Sequence, residues 1–247
     1  MPTRAGSMKA RFHAFEPEMI EGPVYACGDI HGRLDLLEEF LAWVAEDAQG
    51  PASVVFLGDY IDRGPHSRQV IEKLIAGPSR RGERWYPIKG NHEAMMVAAW
   101  RYHTDFHIRN WMVCGASATL RSYGTGNIRS IPESHIRFLE DLPLGLDDGE
   151  RLYVHAGVRP GVPLWRQLEH DLLWIREPFL SEAHGIERVV VHGHTPEFWP
   201  IVLPQRVGLD IGGYRTGSIA GARFDLLVPE ARLWIGSQTY TINNLNL

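Results

Sequence analysis

Short apolar runs alternate along this chain with longer segments whose apolar residues recur every three or four positions. VYACG (24–28) is an apolar run ending at glycine and reads as a buried strand. LDLLEEFLAWVAEDA (34–48) has helical spacing, with a Gly-Pro after it to stop the helix. ASVVFLG (52–58) predicts a second buried strand, SRQVIEKLIAG (67–77) a second amphipathic helix and RWYPIKG (84–90) a third strand. Strand–helix–strand–helix–strand is the pattern of a parallel sheet with right-handed crossovers.

Residues 91–142 read as mostly helical and irregular, with a GTGN turn at 124–127. RLYVHAG (151–157) and RVVVHGH (188–194) predict two further buried strands. VGLDIGG (207–213), SIAGARFDL (218–226) and ARLWIG (231–236) alternate and turn like the antiparallel end of a sheet. No linker, low-complexity tract or internal repeat breaks the pattern. One α/β domain is therefore expected over 21–247, after a loosely specified and flexible extension at 1–20.

Composition narrows the function. The formal charge of −5 argues against a nucleic-acid-binding surface, which is strongly basic as a rule, but leaves room for a local phosphate site. The two cysteines, Cys27 and Cys114, are too few and too far apart for a disulfide framework and read as small buried residues in a reducing compartment. No apolar run has the length of a signal peptide or of a membrane span, so a cytoplasmic protein with no membrane partner is expected.

The candidate chemistry stands where each strand gives way to a loop. GDIHG (28–32), GDYIDRG (58–64), GNHE (90–93), HAG (155–157) and HGHT (192–195) each place Asp, Asn or His there. Ligands of open α/β sheets bind outside the carboxyl ends of the strands. Any one of these segments alone could be a turn or a helix cap. Five in order point to one converging site. Asp29, His31, Asp59, Asn91, His155 and His194 together offer carboxylate, imidazole and amide oxygen without a thiolate. That set suits manganese, iron or zinc. Six ligands are too many for one catalytic ion with an open position, and fit two ions sharing a carboxylate.

In order, these five motifs resemble the signature of the phosphoprotein phosphatase (PPP) family of calcineurin-like metallophosphoesterases, closest to the compact bacterial and lambda-phage type. The resemblance implies a four-layer α/β/β/α sandwich with mixed sheets and a dinuclear centre with manganese as the first expectation. It implies that Asp29 and His31 hold the first ion, Asp59 bridges, and Asn91, His155 and His194 hold the second. His194 rather than His192 is the ligand expected from HGHT. Asp62 would pair with His92, the proton donor to the leaving group. Arg63, Asn91 and Arg176, the last in DLLWIRE, would bind phosphate oxygens.

A metal-bridging hydroxide would then attack phosphorus in line. Two divalent ions, two carboxylates and one hydroxide leave a centre of about +1 before the arginines are counted. An acidic protein can thus still hold a phosphate dianion. The implied activity is phosphomonoester hydrolysis on serine and threonine phosphoproteins, extending to tyrosine or to small phosphoesters. The glycine-rich LDIGGYRTGSIAG (209–221) also resembles dinucleoside polyphosphate hydrolases that cleave diadenosine tetraphosphate. Asp62 favours the monoesterase, because a poor leaving group needs a proton and a nucleotide leaving group does not. Residues 93–142 are expected to build the rim of the site or a lid over it; Trp100, His103, His107, Arg109, Trp111 and Arg121 there read equally as contacts to a peptide or nucleotide and as core and solvated surface. Oligomeric state is not legible.

Overall fold

The computed structural model describes residues 12–14, 22–225 and 231–242. It opens with β1 (Phe12–Ala14) and then enters the expected alternation: β2 (Val24–Cys27), α1 (Leu34–Ala48), β3 (Ala52–Phe56), α2 (Ser67–Ala76) and β4 (Glu83–Pro87). Four helices follow, α3 (Asn91–Tyr102), α4 (Asp105–Val113), α5 (Ala116–Ser122) and α6 (Glu133–Asp141). The second half adds β5 (Gly145–Asp147), β6 (Arg151–Val154), α7 (Glu169–Trp174), β7 (Val189–His192), β8 (Ile201–Leu203) and β9 (Arg206–Gly208). It ends with α8 (Gly213–Thr216), β10 (Ala220–Phe224), β11 (Ala231–Ile235) and β12 (Gln238–Ile242). Of the extension at 1–20, only β1 is described, paired parallel to β5. The rest of that segment lies outside the described residues.

The strands form two mixed sheets, ordered β12-β11-β10-β2-β3-β4 and β1-β5-β6-β7-β9-β8. β2, β3 and β4 run parallel. So do β6, β7 and β9. Residues of one strand alternate between two cores. Tyr25 and Cys27 pack under the helices of the first half, while Val24 and Ala26 face the other sheet. In β7, Val189 and Val191 face the first sheet and Val190 packs with Leu172 and Leu173 of α7. Strands buried on both faces must read as continuous apolar runs. Each fully buried large apolar side chain contributes about 1.5–3 kcal/mol. The layers are therefore helices, sheet, sheet and helix.

One expectation is corrected. VGLDIGG does not join the antiparallel end formed by β10, β11 and β12. Its first residues belong to β9, in the other sheet, parallel to β7. The strand stops at Gly208, because Asp210 folds back to accept the Gly212 N–H at 2.8 Å and Gly212 takes a left-handed φ of 66°. The chain then turns into α8.

Candidate metal centre

All five motifs leave the carboxyl ends of parallel strands, β2, β3 and β4 of one sheet and β6 and β7 of the other. The site lies where these two sets of ends meet. The expected strands ran a few residues too far; the motif residues stand in the loops just beyond them.

Two glycines let the loops touch. A Cβ on Gly90 would come 2.3 Å from both the Asp59 nitrogen and its Oδ1. A Cβ on Gly193 would come 2.1 Å from Asp29 Oδ1. The backbone is strained here as well. Among the described non-glycine residues with positive φ are His31, Asp59, Asp62, Arg63 and His194, at 45–70°. Left-handed conformations cost such residues about 1–2 kcal/mol each and cluster at functional sites.

Asp59 is the hub. Its Oδ2 lies 3.6 Å from His31 Nε2 and 3.7 Å from His92 Nε2, and its Oδ1 lies 3.3 Å from His155 Nε2. Ligand atoms of His31, Asp59 and His92 all lie within 4.8 Å of one another, as do those of Asp59, His155 and His194. Asn91 Oδ1 joins the second group, 2.7 Å from His155 Nε2 and 3.0 Å from His194 Nδ1. Asp29 stands beside both groups rather than within them, its two oxygens each 3.2 Å from the His194 N–H.

The hydrogen bonds behind the imidazoles set their tautomers. His31 Nδ1 donates to the Ile61 carbonyl and His155 Nδ1 to the Leu57 carbonyl, both at 2.8 Å. Nδ1 therefore carries the proton in each neutral ring, and the Nε2 lone pair points inward. That is how metal-ligating histidines are commonly oriented. Burial pushes His31 down to about 3. Burial and the neighbouring His155 do the same to His194, also to about 3. These rings are neutral and ready to ligate near neutral pH. Lone pairs of His155, Asn91 and Asp59 thus converge, an arrangement that a cation relieves.

The carboxylates carry the same message. Burial, then the charges of Asp210 and Asp59, push Asp29 far above its usual range. Burial and Asp59 push Glu93 up to about 8, and Asp210 rises to about 6, chiefly through burial. Burial works against the charge of Asp59 too, but the imidazoles of His155, His92 and His31 outweigh it and lower its pKa. Divalent cations are the natural counter-charge, and the donor set fits them.

Beside the hub, His92 Nδ1 lies 2.6 Å from Asp62 Oδ2, both side chains fully buried. Burial alone would depress His92, yet Asp59 and Asp62 together raise its pKa. Arg63 reaches 2.8 Å from His31 Nε2 and 3.2 Å from His92 Nε2, under the ring of Tyr214. Arg176 is exposed at the other side, its Nη2 3.4 Å from the His194 carbonyl.

His192 points elsewhere. It is in phase with Val190 on β7, so it faces the outer core, against Phe179, with Nε2 3.2 Å from Arg206. Trp111 is not on a rim. It is buried in the core, with its indole N–H donated to Asp62. Trp100 is half-buried between Arg101 and Arg129. His103, Arg109 and Arg121 are exposed, and His107 is half-buried on Thr104. Burial raises both thiols, Cys27 and Cys114, which suits packing rather than nucleophilic attack.

Three site residues escape the motif reading. Glu93 takes the backbone N–H groups of Asp59, Tyr60 and Gly90 at 2.8–2.9 Å and laces two loops together. Asp210 follows β9, so the same strand-end rule reaches it once the strand is placed. Thr119 donates to Asp62 from α5 across 57 positions, with no local signal.

A model of the calcineurin-like phosphoesterase family matches residues 22–236. Among solved structures, one described as a candidate diadenosine tetraphosphatase superposes with a TM-score of 0.66 at 22% identity, over 96% of this chain and 100% of its own. The cold-active protein-tyrosine phosphatase of a psychrophilic Shewanella species gives 0.65 at 15%, over 98% and 89%. A protein serine/threonine phosphatase from Saccharomyces cerevisiae gives 0.59 at 14%, over 96% and 84%.

Proposed function

This chain belongs to the calcineurin-like phosphoesterases, a family of phosphoester hydrolases, and on that premise we propose that it is a phosphomonoester hydrolase of the PPP type acting on phosphorylated protein side chains. Serine and threonine are the first substrates of this reading and tyrosine a further one. The observation that carries it is the buried Asp62–His92 pair at 2.6 Å. An alkoxide from serine or threonine is a poor leaving group, and a positioned acid typically contributes 10²–10⁴-fold.

Asp29, His31 and Asp59 would hold one divalent ion; Asp59, Asn91, His155 and His194 would hold the other. Such a pair, with manganese as the first expectation, supplies Lewis acidity toward phosphoryl oxygens and a nucleophile from water. Asn91, Arg63 and Arg176 bind and orient the phosphate. Guanidinium geometry suits that task, being planar and able to donate two parallel bonds. Asp62 accepts from His92 Nδ1 and with Asp59 favours the imidazolium, whose second proton, on Nε2, is the one given to the leaving oxygen. Glu93 holds the Asp59 backbone in its left-handed conformation.

A second reading is hydrolysis of a dinucleoside polyphosphate. It draws on the candidate diadenosine tetraphosphatase of matching length. A nucleotide leaving group is stable without a proton, so that reading leaves the Asp62–His92 pair without a task. The test is a rate comparison on manganese-loaded protein, with phosphoserine, phosphothreonine and phosphotyrosine peptides beside diadenosine tetraphosphate and a chelator control. Faster phosphopeptide turnover that chelation abolishes is expected. Faster dinucleotide cleavage would move the function to nucleotide hydrolysis.

A further inference from the structure

Asp62 receives three side-chain donors, and only one of them is His92. Trp111 Nε1, on α4, donates to Oδ2 at 2.9 Å, the oxygen that also meets His92. Thr119 Oγ1, on α5, donates to Oδ1 at 2.6 Å. Between them, Gly115 accepts the Arg63 N–H at 3.3 Å, and its own φ is 106°. A Cβ on Gly115 would approach Arg63 Cγ to 3.0 Å. Residues 111, 115 and 119 thus meet Asp62 and Arg63 from α4, from the turn after it and from α5 of the α4–α5 hairpin.

We propose that Trp111 and Thr119 are positioning residues for proton delivery, through which the α4–α5 hairpin fixes the Asp62–His92 pair. The proposal rests on the reading of His92 as the acid. In that step the O–P bond of the leaving group breaks, an O–H bond forms, and His92 Nε2 gives up its proton. The ring ends neutral, its Nδ1–H still donated to Asp62. Direction is set by Asp62, which must stay fixed while charge leaves the ring.

A fully buried carboxylate with one donor is free to rotate about its last bond and is short of partners. With donors on both oxygens it has one orientation. Thr119 fixes Oδ1, and Trp111 fixes the second lone-pair direction of Oδ2, leaving the first for His92. The Asp62 N–H is tied as well, 2.9 Å from Thr119 Oγ1 and 3.1 Å from Ser67 Oγ. The hairpin therefore holds the residue by backbone and side chain together.

Trp111 is also a core residue, so a loss of activity alone would not separate positioning from packing. The leaving group does. The variants Thr119→Val, Thr119→Ser, Trp111→Phe and His92→Asn are compared on a phosphoserine peptide and on an activated aryl phosphate, with bound manganese counted in each. Thr119→Val and Trp111→Phe should slow the peptide about tenfold each, a fraction of the 10²–10⁴ that a positioned acid supplies, and the aryl phosphate by no more than about twofold. Thr119→Ser should restore the peptide rate, and Thr119→Val added to His92→Asn should cost nothing further on the peptide. Metal content should not change.

Equal losses on both substrates, or none, for Thr119→Val would overturn the proposal while His92→Asn still discriminates. Thr119→Val is nearly isosteric, so it decides even if Trp111→Phe fails to fold. If His92→Asn itself slows both substrates alike, the acid assignment falls and the hairpin proposal with it.

Discussion

His155 Nε2 lies 3.3 Å from Asp59 Oδ1, and its Nδ1–H is already committed to the Leu57 carbonyl. A lone pair therefore faces a carboxylate, with both side chains buried. Asp59 occupies the same position toward His31 on its other oxygen, at 3.6 Å. One carboxylate thus belongs to both ligand groups.

The first prediction follows from that sharing. Asp59→Asn removes the negative charge common to both groups, so both ions should be held more weakly. The loss of manganese affinity should be at least the ~10–100-fold typical of an outer-shell partner. Titration calorimetry, with atomic absorption after gel filtration, measures it. Two ions still tightly held by the variant would remove Asp59 from its bridging place.

Much of this site can be read along the chain because the rule that builds it is local. A buried parallel strand is an apolar run, and the residues after it face the ligand. Asp29, His31, Asp59, Asn91, His155 and His194 follow that rule. The choice between His192 and His194 also has a local basis, since a strand alternates and His192 is in phase with the outward-facing Val190. Asp210 was hidden because VGLDIGG looks like one extended run. Where it breaks is set by the turn between Asp210 and Gly212. Whether Trp111 lies on the rim or in the core is not decided along the chain, because its partner, Asp62, is 49 positions away. No spacing rule reports a contact of that kind. The division of the strands between two sheets is equally silent in the residue pattern, since β2 and β3 of one sheet and β6 and β7 of the other are alike buried throughout.

Away from the site, Asp47 at the end of α1 accepts from Tyr25 Oη at 2.6 Å, Arg223 Nη1 at 2.7 Å and Arg232 Nη1 at 2.8 Å. It ties the helix to β2, β10 and β11. Burial opposes its charge, but Tyr25 and the two arginines outweigh that and lower its pKa. A carboxylate with a depressed folded pKa stabilises the fold above the unfolded value of about 3.9 and stops doing so as pH falls through the folded value. Asp47→Asn should therefore cost about 1 kcal/mol at pH 7, solvent screening at this partly open site holding the figure down. The gap from wild type should narrow as pH is lowered below about 4. Urea unfolding at pH 7 and in acid gives the comparison; a gap that widens in acid would contradict the sign.

Gln49 offers the opposite kind of change. It caps α1 in a left-handed conformation, φ 50°, and is exposed. Glycine takes that conformation without the side-chain clash. Gln49→Gly should raise stability by about 0.5–1 kcal/mol, after the entropy glycine adds to the unfolded chain. Hydrolysis should be unaffected. The melting temperature checks the first part and a rate assay the second. The left-handed Asp59, Asp62 and His194 allow no such exchange under the proposed function, which uses their side chains.

The measurement that bears most directly on the whole account is the leaving-group dependence of His92→Asn, read as kcat on a phosphoserine peptide and on an activated aryl phosphate with manganese bound. The pair at Asp62 and His92 predicts a loss of about 10²–10⁴ on the peptide and a small one on the aryl ester. Equal losses on the two substrates, with metal content intact, would contradict proton delivery by His92 and leave the site a phosphoesterase centre without an acid.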